Sequence, residues 1–196
     1  MNLTDEPKLA PPGAGIPKFE IFFGGIFIRW RRLCGNREVF NAAFCRERDK
    51  IRALIESCDS ASGAQRVLIS RIRGIEDSSR YWSVWMTVDH LRIANVGMTR
   101  VIKSLGKGVV PPDKTSIAAL KPSPEATIDV VAEYEKACDD LLEAVASIPN
   151  LKTRERYEHP WFGPFDASDW HSMAGGHMGI HRRQIEKILA GLSAQK

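Results

Sequence analysis

Residues 81–105 carry two apolar stripes side by side. Val84, Val88, Leu91, Met98, Ile102 and Leu105 form one, and Met86, His90, Ile93, Gly97 and Val101 form the other. Apolar residues at three- and four-residue steps mark an α-helix. A helix apolar on two sides has to be packed on two sides, as in a helical bundle. Gly106, Gly108 and the pair Pro111 and Pro112 end it. Helical spacing recurs on either side. From a predicted N-cap at Asn36, residues Phe40, Phe44, Ile51, Leu54, Ile55 and Cys58 fall near a 3.6-residue period. A short helix is predicted over 64–73, before a turn at 74–79. Ser123, Pro124 and Glu125 read as an N-cap, a first-turn proline and a first-turn acid. They open a helix that runs through Ile128, Val131, Cys138, Leu141, Leu142 and Val145 to Pro149. A loop at 150–165 leads to a last helix from Asp166 to about Leu192. Period-two runs and Asn-Gly or Asp-Gly turns are absent, so no strands are expected. The predicted fold is all-α, with four principal helices.

The chain's 196 residues suit a single domain, here residues 19–196, behind a flexible leader over residues 1–18 rich in Pro and Gly. The net charge is +4, but Lys and Arg are scattered among Asp and Glu. Without a basic stripe, nucleic-acid binding is not expected. Cys34, Cys45, Cys58 and Cys138 show no C-x-x-C pairing and read as free, mostly buried thiols of a reducing cytoplasm. Asp5, Glu6 and three early prolines do not suit a secretory signal. Residues 19–30 (FEIFFGGIFIRW) are too short to cross a bilayer, which takes about 20 apolar residues. A short buried or interfacial helix is expected there. Contact of Phe19 to Arg32 with a membrane surface, Arg29, Arg31 and Arg32 at the headgroups, is the lesser alternative.

His177 and His181 stand four residues apart in the apolar stripe of the last helix. That spacing puts both imidazoles on one face, one turn apart, near enough to share a metal ion. His90 lies in a stripe of another long helix. Three such imidazoles leave coordination positions open, as in catalytic metal sites. Hydrogen-bonded core histidines are the competing reading. Gly175 and Gly176 inside the helix suggest that space is needed, for helix packing or for a ligand beside a metal. Met178 stands where the zinc peptidase motif H-E-x-x-H has its glutamate, so that mechanism is not supported. His171 and His159 are expected to be structural or surface residues. Asp89 points about 100° away from His90 on a helix. Arg182 and Arg183 could bind an anionic substrate, though solvated charges are the plainer reading.

The pattern Trp82-Ser83-Val84, Asp89-His90-Leu91, the run His159 to Pro164 (HPWFGP) and His177-x-x-x-His181-Arg182-Arg183-Gln184-Ile185 resembles the DinB-like superfamily. The likeness spans residues 36–192 and leaves out the N-terminal segment. It implies a four-helix bundle with an extra N-terminal helical segment here, often as a homodimer. It implies a divalent metal, zinc or nickel foremost, on His90, His177 and His181. The resemblance assigns no single activity: relatives include transferases and isomerases that use low-molecular-weight thiols, and metal-dependent hydrolases. A small-molecule substrate, with a thiol-dependent transferase preferred, is therefore the expectation.

Overall fold

The structure, a computed structural model, describes residues 6–114 and 116–194. Side-chain caps set where the main helices begin. Asn36 accepts the backbone N–H of Val39 and starts α2, Arg37–Glu56. Ser83 accepts that of Met86 and starts α4, Val84–Gly106. Asp166 and Asp169 cap each other's backbone reciprocally and start α6, Ala167–Ser193. Such caps satisfy N–H groups that have no partner inside the helix. Preceding these are α1, Lys18–Cys34, and between them α3, Ser60–Gly63, and α5, Val130–Ser147.

The bundle consists of α2, α4, α5 and α6. The two stripes of α4 pack against α5 and α6, and α2 packs along α6. Trp85, Leu91 and Ile102 of α4, Tyr134 and Leu141 of α5, and Met178 and Ile185 of α6 form the fully buried centre. The all-α four-helix architecture predicted from periodicity is the one found.

Four local expectations are corrected. The helix predicted from Ser123 begins at Val130. The backbone of Ser123 is tied to Asp89 on α4, so residues 123–129 turn instead of winding. The helix predicted over 64–73 is replaced by α3 and by β1, Val67–Leu68, which pairs antiparallel with β2, Tyr81–Trp82. Val67 and Ile69 are buried around exposed Leu68, an alternation too short to register as a strand. A second small hairpin joins β3, Tyr157–His159, to β4, Gly163–Phe165. Gly163 takes a positive φ of 78° there, which suits glycine. Of the cysteines, Cys138 alone is buried and Cys34 is exposed.

In the segment expected as a leader, residues 1–5 lie outside the described residues. Further along, Ala10 N–H donates to Asp77, and Gly13 and Gly15 N–H donate to Glu76. The next segment forms α1, but none of its residues is buried. Arg31 and Arg32, which the membrane-surface alternative set at the headgroups, turn toward α6. Arg31 Nε donates to Ser172 Oγ at 2.7 Å, and Arg32 Nε to Asp169 Oδ1 at 2.9 Å.

The glycine pair of α6 divides in function. A Cβ on Gly175 would lie 3.2 Å from the backbone nitrogen of Phe44, so this glycine lets α2 and α6 approach closely. A Cβ on Gly176 would meet nothing within 4 Å. Gly176→Ala should therefore raise stability by about 0.5–1 kcal/mol through helix propensity alone. Gly175→Leu should lower it by about 1–3 kcal/mol through overpacking. Urea unfolding of both variants checks the pair; equal effects would contradict the packing assigned to Gly175.

Candidate metal centre

The packing of α4 on α6 brings His90 to the pair His177 and His181. Each of the three offers one nitrogen, and these nitrogens lie within 4.8 Å of one another. His90 Nε2 and His177 Nε2 are 3.2 Å apart. Ring centroids of His181 stand 4.4 Å from His90 and 4.5 Å from His177. His90 and His181 are buried and His177 is partly so.

The protein fixes two of the three rings. His90 Nδ1 lies 2.6 Å from the carbonyl oxygen of Leu120, which can only accept, so Nδ1 carries the proton and Nε2 a lone pair. His181 Nδ1 lies 2.6 Å from Gln184 Oε1, and the Gln184 amide donates to the Ser79 carbonyl at 2.7 Å. The Gln184 oxygen thus accepts from His181, whose Nε2 also keeps its lone pair. His177 Nδ1 is buried without a hydrogen-bond partner. The ring planes of Trp82 and His181 stack at 13° and hold the site from one side.

Burial holds the His90 imidazole down at about 4. Burial, joined by repulsion from the neighbouring imidazoles, holds His177 and His181 well below the ordinary histidine value. All three are neutral at pH 7, the form in which histidine binds a metal. Two nitrogens each about 2.0–2.1 Å from a tetrahedral ion stand about 3.3–3.4 Å apart. The 3.2 Å separation of His90 and His177 fits that spacing. The donor set therefore fits a divalent ion.

A cavity of about 420 Å³ opens against the three rings. Its walls are mainly apolar, with Ile75, Met98, Val101, Trp161, Phe162 and Met173 among them. Two carboxylates reach it, and both are engaged. Glu76 accepts from Gly13, Gly15 and Lys121, and Asp113 pairs with Arg100.

The remaining candidates fall outside the triad. Asp89 binds Arg92 and the backbone of Ser123. Arg182 donates to Glu47 at 2.6 Å and also pairs with Glu186, while Arg183 is exposed; neither lines the cavity. Met178 points away from the histidines into the core, where Asn95 and Tyr134 approach its sulphur at 3.8 Å. Position 178 could not hold a general base over this site. His159 does line the cavity, stacked 4.9 Å from Phe162, and burial holds it at about 4. His171 is not a surface residue: it is fully buried, with no hydrogen-bond partner on either ring nitrogen. Spacing did not single out Gln184 as a site residue, although it stands three residues after His181 on the same helix face. The Leu120 carbonyl lies in a loop turn that carries no sequence signal.

A family model described as the DinB superfamily matches residues 43–185. The crystal structure of TT2238, a four-helix bundle protein, superposes with a TM-score of 0.56 at 20% identity, covering 77% of this chain and 98% of that one. At that identity the likeness concerns the fold. Among curated proteins none matches.

Burial, with the charges of Arg37 and Arg31, keeps His171 near 4 in the folded state. In the unfolded chain it titrates near the ordinary 6.5. Below that value the unfolded state binds the extra proton, so stability falls as pH drops from about 6.5 to about 4. This ring accounts for up to about 3 kcal/mol of the fall. His171→Phe should flatten the dependence of the urea midpoint on pH in that window. An unchanged slope would mean that the ring is not held neutral.

Proposed function

This chain belongs to the DinB superfamily, and on that premise we propose that it is a metal-dependent enzyme whose His90, His177 and His181 hold one divalent ion, zinc or nickel. The observation that carries the reading is the convergence of three neutral imidazoles, two of them locked with Nε2 lone pairs turned inward. When bound, the ion supplies acidification of a thiol or water and polarisation of a substrate oxygen. The chain's own residues supply the rest. Leu120 and Gln184 hold the rings in one tautomer and orientation, a support that such sites depend on. The apolar walls keep bulk water away and favour an uncharged substrate portion.

Between thiol transfer and hydrolysis, the resemblance to thiol-using relatives favours transfer. The cavity's carboxylates, Glu76 and Asp113, are both occupied in ion pairs. No free carboxylate among the described lining residues is placed to take a proton from water or return one to a leaving group. A thiol or a water acidified by coordination needs no such base, so this lining is compatible with either reaction. On the transfer reading the substrate is a small electrophile and the second substrate a low-molecular-weight thiol.

Purified protein should contain close to one equivalent of divalent metal. Added zinc or nickel at about a hundredfold over Kd should stabilise stripped protein by about 2.7 kcal/mol, or about 5–10 °C in Tm. The double variant His177→Ala, His181→Ala should lose the metal and stay helical by circular dichroism. Full metal content in it would refute the assignment. Gln184→Leu should weaken metal affinity about 10–100-fold. Turnover of an electrophile panel with no thiol present would reject transfer in favour of hydrolysis.

A further inference from the structure

The first helix is amphipathic in the inverted sense. Three of its charged groups face the protein: Glu20 accepts from Arg71 and from the Gly74 backbone, Arg31 donates to Ser172, and Arg32 pairs with Asp169. Seven of its apolar groups face away. Phe22 is 65% exposed, Phe23 64% and Leu33 84%, and Phe19, Ile26, Phe27 and Trp30 are also exposed. At 100° per residue these seven side chains fill an arc of about 140°. A soluble helix normally turns such an arc toward the core. Here the family-matched region begins at residue 43, so α1 stands outside it.

We propose that α1 seats the protein on an anionic phospholipid surface, its aromatic face inserted among the acyl chains. Charge supports a lipid occupant. Lys18 and Arg29 are exposed and basic, Arg32 is engaged by Asp169, and the helix's acid, Glu20, is tied inward. Lys18 and Arg29 flank the apolar arc on one side by helical geometry, as in interfacial helices. A second copy is the weaker fit on area. At 1.5 Å per residue α1 is about 26 Å long, and a strip about 10 Å wide covers roughly 260 Å² per partner. Stable dimers bury about 800 Å² per partner. Lipid binding has no such threshold and grows with inserted apolar area and cationic attraction. With 17 residues, α1 lies on the surface; among the described residues no helix is long and apolar enough to cross a membrane.

The seat adjoins the cavity. A Cβ on Gly24 would stand 2.9 Å from the ring of Phe162, and both Phe162 and Ile16 line the cavity wall. A bilayer under α1 therefore lies beside the apolar chamber. The inference stands whether or not the site holds metal.

Sedimentation of the full chain with vesicles tests it. Protein should pellet with vesicles of equal parts phosphatidylcholine and phosphatidylglycerol, and far less with phosphatidylcholine alone. Raised salt should weaken the binding. The double variant Phe23→Ser, Trp30→Ser should bind at least about tenfold more weakly, and Arg29→Glu severalfold. Both alter exposed side chains, so thermal melting should match the parent and show that they are folded. Absence of pelleting with either vesicle would overturn the proposal. So would a dimer in sedimentation velocity that the same double substitution splits while vesicle binding is missing, since a second copy would then cover the face.

Discussion

Lone pairs that face one another in a buried pocket repel, and this governs the centre of the molecule. The Leu120 carbonyl and the Gln184 amide oxygen each accept a hydrogen bond from an Nδ1–H, so His90 and His181 turn bare Nε2 atoms to the same point. His177 Nε2 stands 3.2 Å from that of His90. The pair is relieved either by a proton on His177, which leaves its buried Nδ1 a bare acceptor, or by a cation among the three nitrogens. Protonating the rings is the poor solution, because burial disfavours the charged imidazolium. The site is built so that positive charge is welcome at its centre and unwelcome on its rings.

Everything that holds this arrangement belongs to the bundle. Ser83 and the Asp166–Asp169 box fix where α4 and α6 begin, and so which residues of each face the other. Gly175 brings α2 close behind α6. Gln184 reaches past His181 to the Ser79 carbonyl, linking this histidine to the loop before α4. Asp89, beside His90 in sequence, anchors the loop after Lys121 and thereby the turn that presents Leu120. The acidic neighbour of the ligand therefore acts on the scaffold and not on the reaction.

Much of this was legible in the chain. The double stripe of residues 81–105 required a bundle, and the four-residue spacing of His177 and His181 required a shared face. Helical periodicity could not say which face of which helix His90 would meet; the family resemblance supplied that pairing. Gln184 was visible in the pattern that carries the family resemblance but not as a partner of His181, since its role depends on a tautomer set by tertiary contacts. Leu120 was invisible because a backbone carbonyl has no residue signature. The short pairs β1–β2 and β3–β4 were missed because two or three residues cannot display a period. The face of α1 was left open for a different reason. Its pattern is that of a core helix, and only the ion pairs of Glu20 and Arg32 reveal that the polar side is the one held against the protein.

The central claim is that three histidines from two helices converge on one metal. Anomalous diffraction from crystals of the zinc- or nickel-loaded protein tests it most directly. A single peak is expected among His90, His177 and His181, with each Nε2 about 2.0–2.1 Å from the ion. A triad without anomalous density, in crystals whose metal sits on other residues, would contradict it.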